Sequence, residues 1–247
     1  MSENNNFSNI TLSVILPAFN ESKGIKESLT KTQEALEKLN VSFEILVVDD
    51  GSSDDTSHQA RALKSPFVKV VSYPMNRGKG FAVNVGMKEA KGEYRLFMDV
   101  DLSTSLEALG RFLSVLETNS CDVVVGTRKG KGAYLEVKQP YYRIFLGSIF
   151  TYLAGLVTGC PLSDFTCGFK MYSRQAAEVI FSHQRINNWS FDAELILIAR
   201  FHQLRIQEMP VTWKNDLETK VNPLRDALSS LKGLWLMRCY AAKGFYR

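Results

Sequence analysis

The sequence has few of the residues that build metal centres or disulfide frameworks. Its four cysteines form no C-x-x-C pair, and only three histidines are scattered along the 247 residues. We therefore expect no zinc site, and we interpret the cysteines as reduced and intracellular. Lys and Arg exceed Asp and Glu by only 30 − 26 = 4 charges. This balance does not indicate a nucleic-acid-binding protein.

Long hydrophobic runs are also missing, and we expect no secretory leader. The polar beginning, MSENNNFSN, has neither the basic nor the apolar segment of a signal peptide. The longest apolar stretch, at 144–157, is shorter than the roughly 20 residues that span a bilayer. The segment 141–157, which contains this stretch, is interpreted either as a buried helix covering a sheet or as a helix partly facing lipid. We expect a cytoplasmic protein that is peripheral on a membrane.

Short apolar runs alternate with helical patterns in the first two-thirds of the chain. Strands are predicted at 12–16, 43–48, 68–71, 94–98 and 122–125. Helices are predicted at about 23–39, after 53, at about 80–89 and at about 105–116. Repeated βαβ units of this length favour an α/β fold with a parallel, doubly wound sheet. From about residue 138 the pattern is mainly helical, which we interpret as a substrate-facing region rather than a second domain.

Polar clusters follow three of the predicted strands, at 17–21, 49–50 and 99–101. Ligands of open α/β sheets bind at the carboxyl ends of the strands, so these clusters outline one site. Asp99 and Asp101 can hold Mg²⁺ or Mn²⁺, with substrate phosphates completing the metal's shell. The alternative is a solvated acidic loop. Asp50 can accept hydrogen bonds from the base or ribose of a nucleotide.

Glycine-rich phosphate-binding motifs are absent. The first strand is followed by P-A-F-N-E instead of G-x-G-x-x-G, which argues against an NAD site. The segment N-R-G-K-G at 76–80 lacks the Ser/Thr ending of a P-loop. We interpret it as a turn into a helix, with Arg77 and Lys79 either near phosphates or solvated.

Taken together, these blocks resemble the family 2 glycosyltransferases of the GT-A fold, which use nucleotide-sugars. The matching blocks are S-V-I-L-P-A-F-N-E, V-V-D-D-G-S-S-D-D-T, N-R-G-K-G-F-A-V, M-D-V-D-L-S-T and V-V-V-G-T-R. Three later blocks, L-S-D-F-T-C-G-F-K-M-Y, W-S-F-D-A-E-L and Q-P-Y-Y-R, resemble the polyprenyl-phosphate group. Within it the dolichyl-phosphate β-glucosyltransferases are most similar, and dolichol-phosphate mannose synthase is also similar. The resemblance implies a Rossmann-like, mostly parallel sheet flanked by helices, with C-terminal amphipathic helices.

The same resemblance implies roles for individual residues. The residues implied to bind the nucleotide-sugar are Pro17, Phe19, Glu21, Val48, Asp50, Asp99, Val100, Asp101, Arg128, Lys214 and Lys220. The implied metal ligands are Asp99, Asp101 and Ser103, and the acceptor phosphate is implied to bind Arg128 and Arg143. Ser103 stands where mannose synthases have Gln, and the L-E-T-K block of Lys220 departs from the usual G-S-K. Candidate catalytic residues are Asp101, Arg128 and Asp192, while Glu194 and Asp192 could equally line the sugar pocket or form structural hydrogen bonds.

The implied organisation has three parts. A polar tail at 1–10 precedes a single GT-A domain at 11–220, with a nucleotide-sugar half at about 11–130 and an acceptor half at about 131–220. A basic amphipathic segment follows at 221–247, where leucines and Trp235 alternate with Arg and Lys. That pattern is typical of a helix lying on anionic lipid, and a partner-binding helix is the alternative.

The expected activity is inverting, metal-dependent transfer of a hexose to a polyprenyl or dolichyl phosphate at the cytosolic membrane face. UDP-glucose is the expected donor, with GDP-mannose as the second choice, and recruitment by a membrane protein stays open. One alternative is transfer to a glycan hydroxyl, which needs a general base, for example Asp192. Others are a non-catalytic nucleotide-sugar-binding protein and a nucleotidyltransferase, which would release pyrophosphate.

Overall fold

The computed structural model describes residues 10–135, 141–214 and 223–247. The first part of the chain alternates strands and helices in this order: β1 (Leu12–Ala18), α1 (Ile25–Glu37), β2 (Phe43–Asp49), α2 (Thr56–Arg61), β3 (Val68–Ser72), α3 (Lys79–Glu89), β4 (Tyr94–Met98), α4 (Ala108–Glu117) and β5 (Val123–Thr127). The five predicted strands and the helices between them are confirmed, with differences of a few residues at their ends.

The first strand is longer than predicted, because β1 continues through Pro17 to Ala18. Proline lacks a backbone N–H and is usually excluded from the interior of a sheet. Pairing of β1 with β4 ends at Ile15, so Pro17 loses no hydrogen bond on that side. Pairing with β2 continues to Ala18, which lies opposite Asp49.

The second part contains more strand than its sequence pattern predicts. Its elements are β6 (Tyr134–Leu135), α5 (Tyr141–Thr158), β7 (Phe169–Ser173), α6 (Arg174–His183), α7 (Phe191–Phe201), β8 (Ile206–Pro210), β9 (Thr212–Trp213) and α8 (Pro223–Ala242). The strand β7 was not predicted because its short apolar run is interrupted by Lys170, a residue type that is almost never fully buried unless paired. In the fold Lys170 is fully buried.

The central sheet has seven strands in the order β3-β2-β1-β4-β7-β5-β8. The strand β7 runs antiparallel to β4 and β5, and the other neighbouring pairs are parallel. This mostly parallel α/β architecture confirms the expected fold class. The carboxyl ends of β1, β2, β4 and β5 meet at one edge of the sheet, where ligands of such folds bind. The strands β6 and β9 form a small parallel pair of their own.

Helices cover both faces of the sheet, which explains why the strands are apolar on both sides. On one face, Leu29 of α1 and Phe112 of α4 pack with Val14. On the other, Val83 of α3 and Ile196 of α7 pack with Ile15. The sheet therefore receives residues from both predicted halves, while the proposed domain boundaries stay a prediction.

The end of the chain is fixed to the core. Tyr246 is fully buried, and its hydroxyl donates to Glu194 Oε1 at 2.5 Å. Glu194 also accepts the backbone N–H groups of Arg185 and Ile186. Burial raises the pKa of Glu194, against the effect of these hydrogen bonds. None of the helices in the described ranges is long and apolar enough to cross a bilayer.

Candidate active site

Several nucleotide-sugar candidates lie where β1 and β2 end. Pro17 pairs with Val48 of the neighbouring strand. Phe19, just beyond β1, is 39% exposed. The backbone N–H of Glu21 donates to Thr56 Oγ1 at 2.7 Å, which ties the loop after β1 to α2. The adjacency of β1 and β2 therefore brings these candidates to one part of the sheet edge.

Asp50 follows β2 and is almost fully buried. Its Oδ1 accepts the Tyr73 hydroxyl at 2.7 Å and the Arg77 N–H at 2.8 Å, and its Oδ2 accepts the Gly78 N–H at 2.9 Å. Burial and the Asp50 charge raise the pKa of Tyr73, so its hydroxyl stays a donor at neutral pH. Asp50 thus holds the turn that begins α3. Its contact with a nucleotide stays a prediction.

Asp99 and Asp101 occupy the turn that follows β4. The Asp99 N–H donates to the Gly168 carbonyl at 3.1 Å, and Asp101 Oδ1 accepts the Ser103 N–H at 2.9 Å. Leu102, which lies between Asp101 and Ser103, has a φ of 54°. This left-handed conformation is costly for a leucine and occurs in functional turns. Burial and then the neighbouring Asp99 charge raise the pKa of Asp101. A cation at this turn would relieve that repulsion.

Lys79, the first residue of α3, supplies a positive charge at this turn. Its Nζ forms an ion pair with Asp99 Oδ1 and lies 5.7 Å from the ring centroid of Trp189. Burial disfavours the charged lysine, but Asp99 and Asp192 outweigh it and raise the pKa of Lys79. The sequence did not decide whether Lys79 lies near phosphates or is solvated. Lys79 directly follows the turn that Asp50 holds, and this position is the signal that could have assigned it to the site.

The residues at this turn fit a divalent cation. Carboxylate oxygens are the hard ligands that Mg²⁺ and Mn²⁺ prefer. Gly168 leaves the space that the Asp99 carboxylate occupies, because a Cβ there would lie 2.5 Å from Asp99 Cγ and closer still to Oδ2. The turn supplies two carboxylates, and within the described ranges no group of three or more His, Cys, Asp or Glu could hold an ion. Phosphate and water oxygens would therefore complete the coordination shell of the metal. A metal contact by Ser103 stays a prediction.

Arg128 lies just beyond β5 and is held by Asp164. Its Nε and Nη2 donate to the two Asp164 oxygens at 2.7 and 2.9 Å, and Nη2 also donates to Thr166 Oγ1 at 2.8 Å. Burial opposes the guanidinium charge, but Asp164 outweighs it and raises the pKa of Arg128. Lys214 is nearby in the fold, because its N–H donates to the Ser103 carbonyl at 2.8 Å. Both predicted cations thus lie at the same sheet edge as Asp101.

The Arg128–Asp164 pair makes stability depend on pH. Burial raises the Asp164 pKa, but Arg128 outweighs it and lowers that pKa to about 2. The ordinary Asp value is about 3.9, so the ionised pair contributes about 2–3 kcal/mol above about pH 4. Asp164→Asn is therefore expected to lower the free energy of unfolding by that amount at pH 7. The difference from wild type should shrink as pH falls from 4 towards 2, measured by urea denaturation.

Asp122→Asn is the matched control, because Asp122 forms a bidentate pair with Arg205 at the surface. The Arg205 side chain is 56% exposed, and pairs between exposed side chains contribute little to stability. A loss in Asp164→Asn no larger than in this control, or one independent of pH, would contradict the prediction.

Asp192, a candidate base at the start of α7, is buried with a counterion. Its Oδ1 forms an ion pair with Lys170 Nζ, which also donates to the Cys167 carbonyl at 2.7 Å. Burial raises the pKa of Asp192, against the effect of Lys170 and Lys79. A catalytic role for Asp192 stays a prediction, while Glu194 forms the structural hydrogen bonds given above.

The fold thus brings the acidic turn, Lys79, Arg128 and Lys214 to one edge of the sheet. Val100 lies between the two aspartates and is buried. The Arg143 side chain and Lys220 lie outside the described residues. Three further residues were not predicted, although all fall in the block L-S-D-F-T-C-G-F-K-M-Y that carried the resemblance: Asp164, Gly168 and Lys170.

Comparison with known proteins defines the family. The model of the family described as Glycosyl transferase family 2 matches residues 13–181. The chain belongs to this family. It is therefore an enzyme, a glycosyltransferase, and its acidic turn and second-strand motif fall within the matched range.

Among its relatives, this glycosyltransferase is similar to dolichyl-phosphate β-glucosyltransferases. The human protein is 32% identical over 254 residues, which cover 96% of this chain and 77% of that protein. The Saccharomyces cerevisiae protein is 30% identical, covering 100% of this chain and 80% of its own length. A Trichomonas vaginalis protein of the same name is 34% identical, covering 87% of this chain and 67% of that protein.

Solved structures share the fold of this glycosyltransferase. Glucosyl-3-phosphoglycerate synthase from Mycobacterium tuberculosis superposes with a TM-score of 0.70 at 22% identity, covering 92% of this chain and 80% of that one. The same synthase has been solved with Mn²⁺ and UDP-glucose, with a TM-score of 0.68 at 22% identity and coverage of 93% and 79%. These likenesses establish the GT-A architecture.

Proposed function

We propose that this glycosyltransferase transfers glucose from UDP-glucose to dolichyl phosphate or a related polyprenyl phosphate, with inversion at the anomeric carbon. The observation that carries the proposal is the similarity, over nearly the whole chain, to proteins named dolichyl-phosphate β-glucosyltransferase. The charges at the sheet edge fit the chemistry, because a carboxylate pair and several cations lie together there.

The donor is proposed to bind across the ends of β1, β2 and β4. Pro17, Phe19, Glu21, Val48 and Asp50 would surround the nucleotide. Asp99 and Asp101 would hold Mg²⁺ or Mn²⁺, with Ser103 beside them, and Val100, Lys214 and Lys220 would lie near the diphosphate. When bound, the metal would neutralise negative charge on the departing nucleoside diphosphate. Lys79, already beside Asp99, can contribute a further positive charge there.

The acceptor phosphate is proposed to bind Arg128 and Arg143. A phosphate monoester has a second pKa of about 6, so it is largely dianionic at pH 7 and needs no general base to become a nucleophile. The task of the chain is then to orient the phosphate oxygen towards C1 of the sugar. Arg128 suits this task because Asp164 fixes its guanidinium and the Arg128 side chain is still 22% exposed.

The first experiment measures product with a panel of donors. Purified protein is incubated with Mn²⁺ or Mg²⁺, dolichyl phosphate in detergent, and UDP-glucose, UDP-N-acetylglucosamine or GDP-mannose. We expect lipid-linked glucose and UDP to form in equal amounts from UDP-glucose alone. Asp101→Ala and Arg143→Ala are each expected to lower the rate at least about 100-fold, because each removes a charge that positions a phosphate.

Arg200→Ala is the control, because Arg200 is exposed near the end of α7 and is not among the residues proposed to bind donor, metal or acceptor. It should keep the wild-type rate. Donor binding without a lipid-linked product would refute the polyprenyl phosphate acceptor. An Arg143→Ala protein with normal transfer to a glycan hydroxyl would favour that alternative acceptor.

We further propose that the enzyme is peripheral on the cytosolic face of a membrane, bound through α5 and α8. The exposed residues Phe145, Ile149, Tyr152 and Leu156 repeat every three or four positions and form one apolar strip along α5. Leu231 and Trp235 are exposed on α8, which packs against α5. Exposed apolar strips beside basic residues such as Lys232 and Arg238 suit an anionic lipid surface. Recruitment by a separate membrane protein is compatible with this arrangement.

A negative charge introduced into the apolar strip of α5 is expected to weaken membrane binding. Phe145 is 66% exposed, so Phe145→Glu should leave the fold intact while removing apolar area from the lipid contact. Affinity for vesicles of phosphatidylcholine and phosphatidylserine should fall at least about tenfold, measured by cosedimentation. Met75→Glu is the control, because Met75 is 71% exposed and lies outside α5 and α8. Equal binding by both variants would refute the proposed surface.

A further inference from the structure

A second polar groove lies between the start of α3, the segment before α7, and α8. It consists of two adjoining cavities of about 480 and 400 Å³, which share Arg77, Arg185, Asn187 and Tyr240. Of the residues proposed above to hold donor, metal or acceptor, none whose side chain the structure describes lines these cavities. We call this feature the α3–α8 groove.

The described lining of the groove carries positive charge. Arg77, Lys88 and Arg185 line it, and no Asp or Glu is found among the lining residues that the structure describes. Within the described ranges none of the three cations forms an ion pair. The buried Glu194 carboxylate lies beside Arg185 but is bound to backbone N–H groups and to the Tyr246 hydroxyl. Clustered cations repel each other, and an anion bound among them would reduce that repulsion.

The two arginines are held by aromatic rings. The Arg77 guanidinium lies 3.5 Å from the ring centroid of Phe81, and that of Arg185 lies 4.3 Å from the centroid of Phe245. Stacking fixes the plane of a guanidinium while its N–H groups stay available at the edge. Guanidinium groups with free edges bind phosphate oxygens in a bidentate manner.

We propose that the α3–α8 groove is an anion site, separate from the donor site, that binds a phosphate group through Arg77 and Arg185. Lys88 adds a third charge, and the Asn187 amide supplies a further hydrogen-bond donor. The phosphate belongs either to a soluble ester or to the headgroup of an anionic lipid. The lipid source rests on the proposed membrane contact, because α8 forms one wall of the groove and carries the exposed Trp235.

Calorimetric titration with inorganic pyrophosphate tests the site. The titration is done in EDTA, where Asp99 and Asp101 carry no metal and repel an anion. One pyrophosphate is expected to bind per chain, and Arg77→Gln and Arg185→Gln should each weaken binding at least about tenfold. Arg200→Gln removes the same charge from an exposed position on α7 and should bind like wild type. Lys88→Gln leaves both stacked arginines in place and is the second variant if an arginine variant fails to fold.

Cosedimentation with phosphatidylcholine vesicles, with and without phosphatidic acid, separates the two sources. If the groove variants lose both pyrophosphate and phosphatidic acid binding, the ligand is a lipid headgroup. If they lose only pyrophosphate binding, it is a soluble phosphate. Equal pyrophosphate affinity in wild type and the groove variants, or an equal loss in Arg200→Gln, would overturn the proposal. No sugar donor is used, so the outcome is independent of whether the enzyme glucosylates a lipid phosphate.

Discussion

Replacing Gly168 by alanine is expected to lower glycosyl transfer at least about 100-fold while leaving the fold intact. The added carbon would lie 2.5 Å from Asp99 Cγ and closer to Oδ2, so the carboxylate must turn away from its place. Gly168 does not have a positive φ, so its backbone conformation also suits alanine. The loss should therefore come from the displaced carboxylate. Transfer rate, Mn²⁺ affinity and thermal unfolding of the same preparation measure it.

Gly147→Ala in α5 is the matched control, because an added Cβ there meets nothing within 4 Å. Alanine in a helix interior should stabilise that protein slightly, by up to about 1 kcal/mol, and leave the transfer rate unchanged. A Gly168→Ala protein with wild-type rate and wild-type Mn²⁺ affinity would show that Asp99 need not occupy its observed position.

Replacing Lys170 by methionine is expected to lower the free energy of unfolding by about 3–5 kcal/mol. The side chains of Lys170 and Asp192 are 0% and 3% exposed, so removing the ammonium group leaves a carboxylate buried without its ion-pair partner. For a chain of this size the melting temperature should fall by on the order of 10 °C. Urea and thermal denaturation at pH 7 measure the loss.

The double variant Lys170→Met/Asp192→Leu should recover most of that stability, because replacing both charges by apolar groups removes the uncompensated one. If the double variant is as unstable as the single one, the loss arises from the packing of methionine and not from the orphaned carboxylate.

The same double variant separates the two candidate acceptors. A phosphate acceptor needs no general base, so transfer to dolichyl phosphate should stay within about tenfold of wild type. A hydroxyl acceptor that depends on Asp192 would lose about 10²–10⁴ in rate. A loss of that size in transfer to dolichyl phosphate, at restored stability, would contradict a reaction that needs no general base.

Much of the sheet was predictable because its strands are buried on both faces. The apolar run of β2 is almost completely buried, and such runs are visible without any knowledge of their neighbours. The positions of Asp50, Asp99 and Asp101 directly after strands followed from the same pattern. The strand β7 was not predicted, because the pairing of Lys170 with Asp192, 22 residues further along the chain, cannot be seen in local periodicity.

The amino-acid pattern was sufficient to predict the order of strands and helices as far as β5, the placement of acidic residues at strand ends, and the family. These features depend on local burial patterns and on motifs a few residues long. Which charges meet became visible only in the folded chain: Lys79 with Asp99, Arg128 with Asp164, and Lys170 with Asp192. These pairings depend on the order of strands in the sheet. The insertion of antiparallel β7 between β4 and β5 brings Gly168 and Lys170 beside residues far away in the chain.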